Sequence, residues 1–362
     1  MKNHYAIIMA GGVGSRFWPM STSQHPKQFL DVLGSGETLI QQTYNRLLKI
    51  CPKKNIFVVT SAQYDKLTKT QLPDLPSENI LLEPSRKNTA PCIIYASYKI
   101  QKLNPKAVTI VAPSDHLITK EDTFVKAMKS CLKKASAEDS LITLGIKPTR
   151  PDTGYGYIQY MDSDLKEKDK RMYKVKTFTE KPSAEMAKVL FESGDFLWNS
   201  GIFIWRTSVL IKAAETLDPE LANVFKEGVN LYNTPEESAF VNKAYNICKN
   251  ISIDYSIMEK APNVYVRSSI IGWSDLGTWG SLYEHLKHDK QGNATIGKNI
   301  MMYDSKNCIV QMPKDKLVVL QGLEDYIIVE SDDTLLICKK ADEQLIRNFV
   351  NDVKVKKGEK YV

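Results

Sequence analysis

The chain has 362 residues, 43% hydrophobic and 25% charged, with 49 Lys+Arg against 42 Asp+Glu. Those fractions exclude disordered, collagen-like and coiled-coil classes, and a core rarely grows past about 250–300 residues, so one large domain with a smaller appendage is expected. A net charge of +7 suits an anionic small molecule as well as nucleic acid and selects neither.

The first apolar run, YAIIMAGGVG, breaks at Ser15-Arg16 without a cleavage site and reads as a buried strand rather than a leader. No stretch approaches the ~18–20 apolar residues of a membrane span. Six scattered cysteines (Cys51, Cys92, Cys131, Cys248, Cys308, Cys338) form no CxxC, which predicts reduced, buried thiols in a cytoplasmic protein. His285 and His288 read as the solvated face of a polar helical stretch.

Apolar, β-branched runs alternate with longer amphipathic ones. Strands are predicted at 4–10, 55–60, 78–83, 107–113 and 140–146, with helices at 38–50, 88–103 and 121–137. Near-continuous apolar strands separated by helices imply a doubly wound, mostly parallel α/β sheet covered on both faces. From about 150 the pattern is mixed. Past 290, NCIVQM, LVVLQG, DYIIVES and TLLICKK recur about every ten residues. That spacing predicts a small β domain or β-solenoid, closed by an amphipathic helix over 342–353. The expected division is 1–288 and 289–362, with 286–295 as linker.

Doubly wound sheets bind ligands at the carboxyl ends of their strands. The first strand ends in Ala10-Gly11-Gly12-Val13-Gly14-Ser15-Arg16. A glycine turn there lets backbone N–H groups approach a phosphate. It fails the P-loop pattern, and Phe17 stands where GxGxxG needs its third glycine. Arg16 and Lys27, two cations flanking the turn, suit a triphosphate whose departing pyrophosphate needs its charge neutralised.

The string AGGVGSRFWPMSTSQHPKQFL resembles the opening motif of the sugar-phosphate nucleotidyltransferases, in particular their mannose-1-phosphate guanylyltransferase branch. The resemblance continues to about residue 285. Glu83 ends the third strand, and a carboxylate accepts the paired N1–H and N2–H₂ donors of guanine, which adenine lacks. EPSRKNTAP resembles the family's base- and sugar-proximal loop, which adds Asn88 and Thr89, although both also read as a helix N-cap. PSDH, with Ser114 and Asp115, and GWSDLGTW, with Asp275, resemble its two metal-binding aspartate motifs. Read alone, each aspartate is a turn or cap residue. The resemblance implies that Asp115 and Asp275 hold one Mg²⁺, an ion that prefers one or two carboxylates plus phosphate oxygens and water.

The strings PDTGYGYI, FTEKP and WNSG resemble the family's sugar-1-phosphate pocket. They place Gly156 against the ring, Glu180 on sugar hydroxyls, Lys181 on the phosphate and Asn199 beside the sugar. An exposed Glu–Lys pair and an Asn turn are the plain alternatives. Tyr255 in SIDYSIMEKA reads as core packing. The resemblance therefore implies transfer of a guanylyl group from GTP to mannose 1-phosphate, in line at the α-phosphorus and without a covalent intermediate. It implies neither a nucleic-acid nor a membrane partner, and exposed strands in the tail would suit a homodimer. Competing readings are another sugar 1-phosphate with UTP or dTTP, a non-catalytic nucleotide-sugar sensor, and a dinucleotide oxidoreductase. The chain ends too early for the fused isomerase domain of longer relatives, so that second activity is not expected.

Overall fold

Valine, isoleucine and aromatic side chains fill both faces of a covered sheet, and the apolar runs of the first half become its strands. The computed structural model describes residues 2–161 and 169–362. Nine strands form one sheet: β1 His4–Ala10, β2 Ile56–Ser61, β3 Ile80–Glu83, β4 Val108–Pro113, β5 Leu141–Ile146, β6 Tyr157–Tyr160, β7 Met172–Thr179, β8 Phe196–Arg206 and β9 Val264–Ser268. Their order is β3-β2-β1-β4-β8-β5-β9-β7-β6. From β3 to β4 all pairs are parallel, with Ala6 opposite Ile56 and His4 opposite Val108. Beyond that the sheet is mixed. Strand β8 is inserted antiparallel between β4 and β5, placing Ile204 between Ile110 and Ile142. The helix Thr89–Leu103 is buried from Ala90 through Ile100, and its apolar side chains share a core with Trp205, Phe225 and Tyr245.

The chain divides into two units. The first comprises Met1–Gly11, Thr43–Ser114 and Ile118–Trp273, and holds the nine-stranded sheet; the second comprises Gly12–Gln42, Asp115–Leu117 and Ser274–Val362. In the second, β10 Ala294–Ile296, β12 Ile309–Gln311 and β14 Tyr326–Ser331 stack in parallel, Ala294 over Ile309 over Ile327. Strands β11 Asn299–Tyr303 and β13 Leu317–Gln321 form a second parallel stack. Successive strands alternate between the two stacks, which is the coil of a β-helix. Strand β15 Thr334–Lys339 then folds back antiparallel on β14.

The core of this second unit includes residues far from the rungs. Phe17, Trp18 and Val32 pack with Trp279, Leu282, Ile309, Ile327 and Ile346. Two large apolar side chains directly after the glycine turn require a core, and the Phe17 and Trp279 rings meet at 5.0 Å. The closing helix is Ile346–Lys357, later than 342–353, because Lys340–Leu345 is wound as a tighter 3₁₀ segment. The stretch 286–295 is an ordered turn: the Asp289 carboxylate accepts from the amides of Gln291 and Asn293. The preceding helix, Trp279–Tyr283, ends before it. His285 and His288 are thus exposed but not helical, and His288 Nε2 lies 2.9 Å from the Tyr283 carbonyl. All six cysteines are free and buried.

Candidate active site

In the second unit, Gly14 adopts φ 74°, and a Cβ there would lie 2.5 Å from the Lys27 Cβ. Only glycine allows that approach. Lys27 is 3% exposed, and its amide donates to the Val13 carbonyl. Its ammonium meets Asp115 Oδ2 at 3.0 Å, the Asp275 carbonyl at 2.7 Å and the Leu276 carbonyl at 2.9 Å. Three protons have three acceptors. Burial alone would raise the Asp115 carboxyl, but Lys27 and His116 outweigh it and hold the group below the usual carboxylate range.

Arg16, in the short turn Ser15–Phe17, reaches the Gly277 carbonyl at 3.4 Å, while its Nε is buried without a hydrogen-bond partner. The Gly12 carbonyl accepts from Gln28 Nε2 at 3.0 Å. Asp275 Oδ1 accepts from the Gly277 amide. The cap of the following helix is Thr278, in a reciprocal pair with Ser281. Asp275 therefore does not cap that helix.

Lys27 joins two distant segments through the Asp115 carboxylate and the Asp275 backbone carbonyl, so only Asp115 presents its acid group to the ammonium. An Asp115 carboxylate seated on a cation and held below the usual carboxylate range suits a divalent ion. Among the described residues no group of three His, Cys, Asp or Glu side chains could hold a metal. Two acids leave the remaining positions to phosphate oxygens and water, as Mg²⁺ prefers.

In the first unit, Ala10 closes β1 and its carbonyl accepts from Thr60 Oγ1. A Cβ on Gly11 would lie 3.3 Å from Glu83 Oε2. Glu83 is buried at the end of β3, and Tyr245 donates its hydroxyl to Oε1 at 2.9 Å. Burial pushes its carboxyl up to about 7, against the Tyr245 hydrogen bond. The folded chain thus holds a proton there that the unfolded chain has lost between about 4.5 and 7, and this contribution to stability fades as pH rises through that window. In Glu83→Gln the stability gain over wild type, from urea unfolding, is therefore larger at pH 8 than at pH 5. An equal gain at both pH values would contradict the raised carboxyl.

Ser114 is buried, its amide donating to the Met9 carbonyl. Asn88 caps the helix Thr89–Leu103 through the Thr89 amide, and Thr89 Oγ1 accepts from the Ile253 amide at 2.9 Å. Asn88 is thus the N-cap read from the sequence, whereas Thr89 is the first helical residue and braces the Ile253 backbone instead of capping.

The sugar-phosphate candidates cluster in this unit. A Cβ on Gly156 would stand 2.3 Å from Glu180 Oε2. The Glu180 side chain is 8% exposed; Oε1 pairs with Lys181 Nζ at 3.0 Å, and Oε2 is buried with no hydrogen-bond partner. Asn199 is more committed than its motif suggests: Oδ1 accepts from Thr143 Oγ1 and the Gly201 amide, and Nδ2 donates to Asp254 Oδ1 at 2.9 Å. Burial and the Glu180 charge push Asp254 up to about 7.

Sequence reasoning missed Asp254 and Tyr245. Asp254 was legible as an acid interrupting the apolar run around Ile253; Tyr245 carries no local signal. Tyr255 is not core. It lies in the π-helical turn Asp254–Met258, is 43% exposed, and donates its hydroxyl to the Glu180 carbonyl at 3.4 Å. The wider turn changes which face each residue presents. Gly156→Ala drives a methyl group into Glu180 Oε2. Displacing that carboxylate should lower kcat/KM for the sugar phosphate on the order of 10²-fold. Steady-state kinetics check this, and an unchanged value would remove Glu180 from the sugar site.

A glycine-turn strand, a buried lysine on one carboxylate and a separate Glu–Lys–Asn cluster fit a class that handles phosphate esters of nucleotides and sugars. Residues 5–292 match the model of the nucleotidyl transferase family, and 298–353 match a mannose-phosphate isomerase/GMP-like β-helix domain. The chain belongs to the nucleotidyl transferase family, whose enzymes transfer nucleotidyl groups. It is 34% identical to a mannose-1-phosphate guanylyltransferase of Escherichia coli, over 95% of this chain and 74% of that protein. It is 33% identical to the alginate biosynthesis protein AlgA of Pseudomonas aeruginosa, over 96% and 71%. A crystal structure from Thermus thermophilus, described as a mannose-1-phosphate geranyltransferase, superposes with a TM-score of 0.86 at 26% identity, covering 97% of this chain and 99% of that one.

Proposed function

We propose that the protein transfers the guanylyl group of GTP to mannose 1-phosphate, yielding GDP-mannose and pyrophosphate. The observation that carries this reading is the 34% identity to a mannose-1-phosphate guanylyltransferase along 95% of the chain. The sugar phosphate oxygen attacks the α-phosphorus in line, so catalysis consists of positioning and charge neutralisation. Lys181 holds the attacking phosphate, and the unpartnered Glu180 Oε2 accepts from a sugar hydroxyl beside Gly156, with Asn199 fixing its neighbour Asp254. The backbone at Ala10, Gly11, Gly12, Gly14 and Ser15 lies along the triphosphate, with Asn88, Thr89 and Ser114 bordering the nucleotide and Glu83 reading guanine. Arg16 neutralises the departing pyrophosphate. Lys27 adds charge from a buried position and braces Asp115 with the 275–276 backbone. Asp115 and Asp275 would hold Mg²⁺, which when bound offsets phosphate charge.

Residues 1–288 carry the reaction in this proposal, and 289–362 form the appended β-rich region. The free, buried cysteines suit a reducing, cytoplasmic setting. Exposed Met301, Tyr303, Leu317 and Val319 on β11 and β13 suit a homodimer. Among the described residues no helix is long and apolar enough to cross a membrane.

A matrix of nucleoside triphosphates against sugar 1-phosphates, read by Mg²⁺-dependent pyrophosphate release, tests the assignment. GTP with mannose 1-phosphate should be the best pair. No turnover with any pair would sink the reading, and a preference for UTP would sink the role given to Glu83.

A further inference from the structure

The helix after the β-helical coil packs on the turn that carries Arg16. Ile346 is fully buried in the core that contains Phe17, so Arg347 and Arg16 each flank an anchor of one shared core. The terminal residues tighten the same contact: Trp18 Nε1 donates to the Tyr361 carbonyl at 2.7 Å, and Ser23 Oγ to the Val362 carbonyl at 2.7 Å.

Two arginines are thereby brought together without a counter-charge. Arg16 Nε is buried and lacks a hydrogen-bond partner. Among the described residues no carboxylate pairs with Arg16 or Arg347. The nearest acid upstream on the chain, Glu343, turns its carboxylate to the Gly280 amide at 2.7 Å instead. Partial burial and the positive charge of Arg16 hold the Arg347 guanidinium below its ordinary value. Like charges side by side repel and the buried Nε–H of Arg16 is left unmade, so an anion seated between the two guanidiniums relieves both. A guanidinium offers a planar fork of N–H donors that matches phosphate oxygens two at a time.

We propose that Arg347 joins Arg16 in a two-guanidinium clamp for a polyphosphate, the terminal phosphates of the nucleoside triphosphate or the released pyrophosphate. This rests on the reading that Arg16 meets phosphate. The β-rich tail then contributes a ligand-binding side chain rather than only a scaffold, and no motif of the glycine loop announces it.

Calorimetric titration of the full chain with pyrophosphate, GTP and GDP tests the clamp. Arg347 is exposed, so Arg347→Ala should fold, and a thermal melt matching wild type confirms it. Its affinity for pyrophosphate should fall about tenfold or more, the usual consequence of losing one hydrogen-bonded charge. Arg347→Lys should lose less, since it keeps charge but not the fork. Weakened GTP binding with GDP little changed places the clamp on the nucleotide's terminal phosphates. Weakening of pyrophosphate alone places it on the leaving group. If Arg347→Ala binds all three ligands like wild type while Arg16→Ala loses pyrophosphate, the clamp is wrong and the role of Arg16 stands. If Arg16→Ala also binds like wild type, the phosphate role of Arg16 itself is overturned.

Discussion

Lys27→Met should unfold at a markedly lower urea concentration, losing about 2–4 kcal/mol of stability, because it leaves Asp115 and two carbonyls without their buried donor. The loss stays toward the lower end because the Asp115 side chain retains 31% of its exposure. Methionine keeps most of the aliphatic volume that lies under Gly14, so the effect reports the ammonium rather than a cavity. Trp18 and Trp279 lie in the core of the same unit and give a fluorescence signal for it. Adding Asp115→Asn to Lys27→Met should recover part of the loss, since the stranded charge is removed, and the double-mutant cycle isolates that pair. An unchanged midpoint in Lys27→Met would show that the ammonium does not organise the loop.

Much of this network is hidden in the sequence, while its parts are plain. The strands at 4–10 and 107–113 are legible because unbroken apolar, β-branched runs have one good use in a covered sheet. The glycine turn and the acids at strand ends are legible because each is a local cluster. Pairing is not. Nothing near Phe196–Arg206 says that it lies antiparallel between β4 and β5, since strand neighbours are chosen by packing across the whole sheet. Lys27 reads in sequence as a phosphate contact, but its partners Asp115 and Asp275 are far along the chain, so its burial has no local sign. Likewise several core neighbours of Phe17 and Trp18, among them Ile309, Ile327 and Ile346, lie hundreds of residues away in the tail. Tyr255 misleads because a π-helical turn departs from the 3.6-residue period by which a helical core face is recognised.

Arg16→Ala should leave the fold intact and lower kcat by about 10²–10³-fold, the usual cost of removing a donor that meets charge developing in the transition state. Stability should hardly change, because the hydrogen bond of Arg16 to the Gly277 carbonyl is long, at 3.4 Å, and its Nε makes none. KM for mannose 1-phosphate should stay within about twofold, since Arg16 is assigned to the nucleotide's phosphates and not to the sugar phosphate. Rapid-quench, single-turnover measurement of GDP-mannose formation isolates the chemical step. Turnover within about twofold of wild type would end the leaving-group role.

The glycine turn is synthesised long before segments that supply some of its hydrogen bonds. Trp18 and Tyr361 are 343 residues apart in sequence, and Arg16 and Gly277 are 261 apart. Closing such long loops is slow and entropically costly. On the ribosome, the nine-stranded sheet can assemble while 12–42 still waits for the coil that covers Phe17 and Trp18. A nascent chain would carry those two aromatic residues unburied until that coil has been made. This part of the protein would lean most on chaperones during folding, and loss of the segment from Ile346 onward would strip the core around Phe17 and Trp18 of a fully buried member.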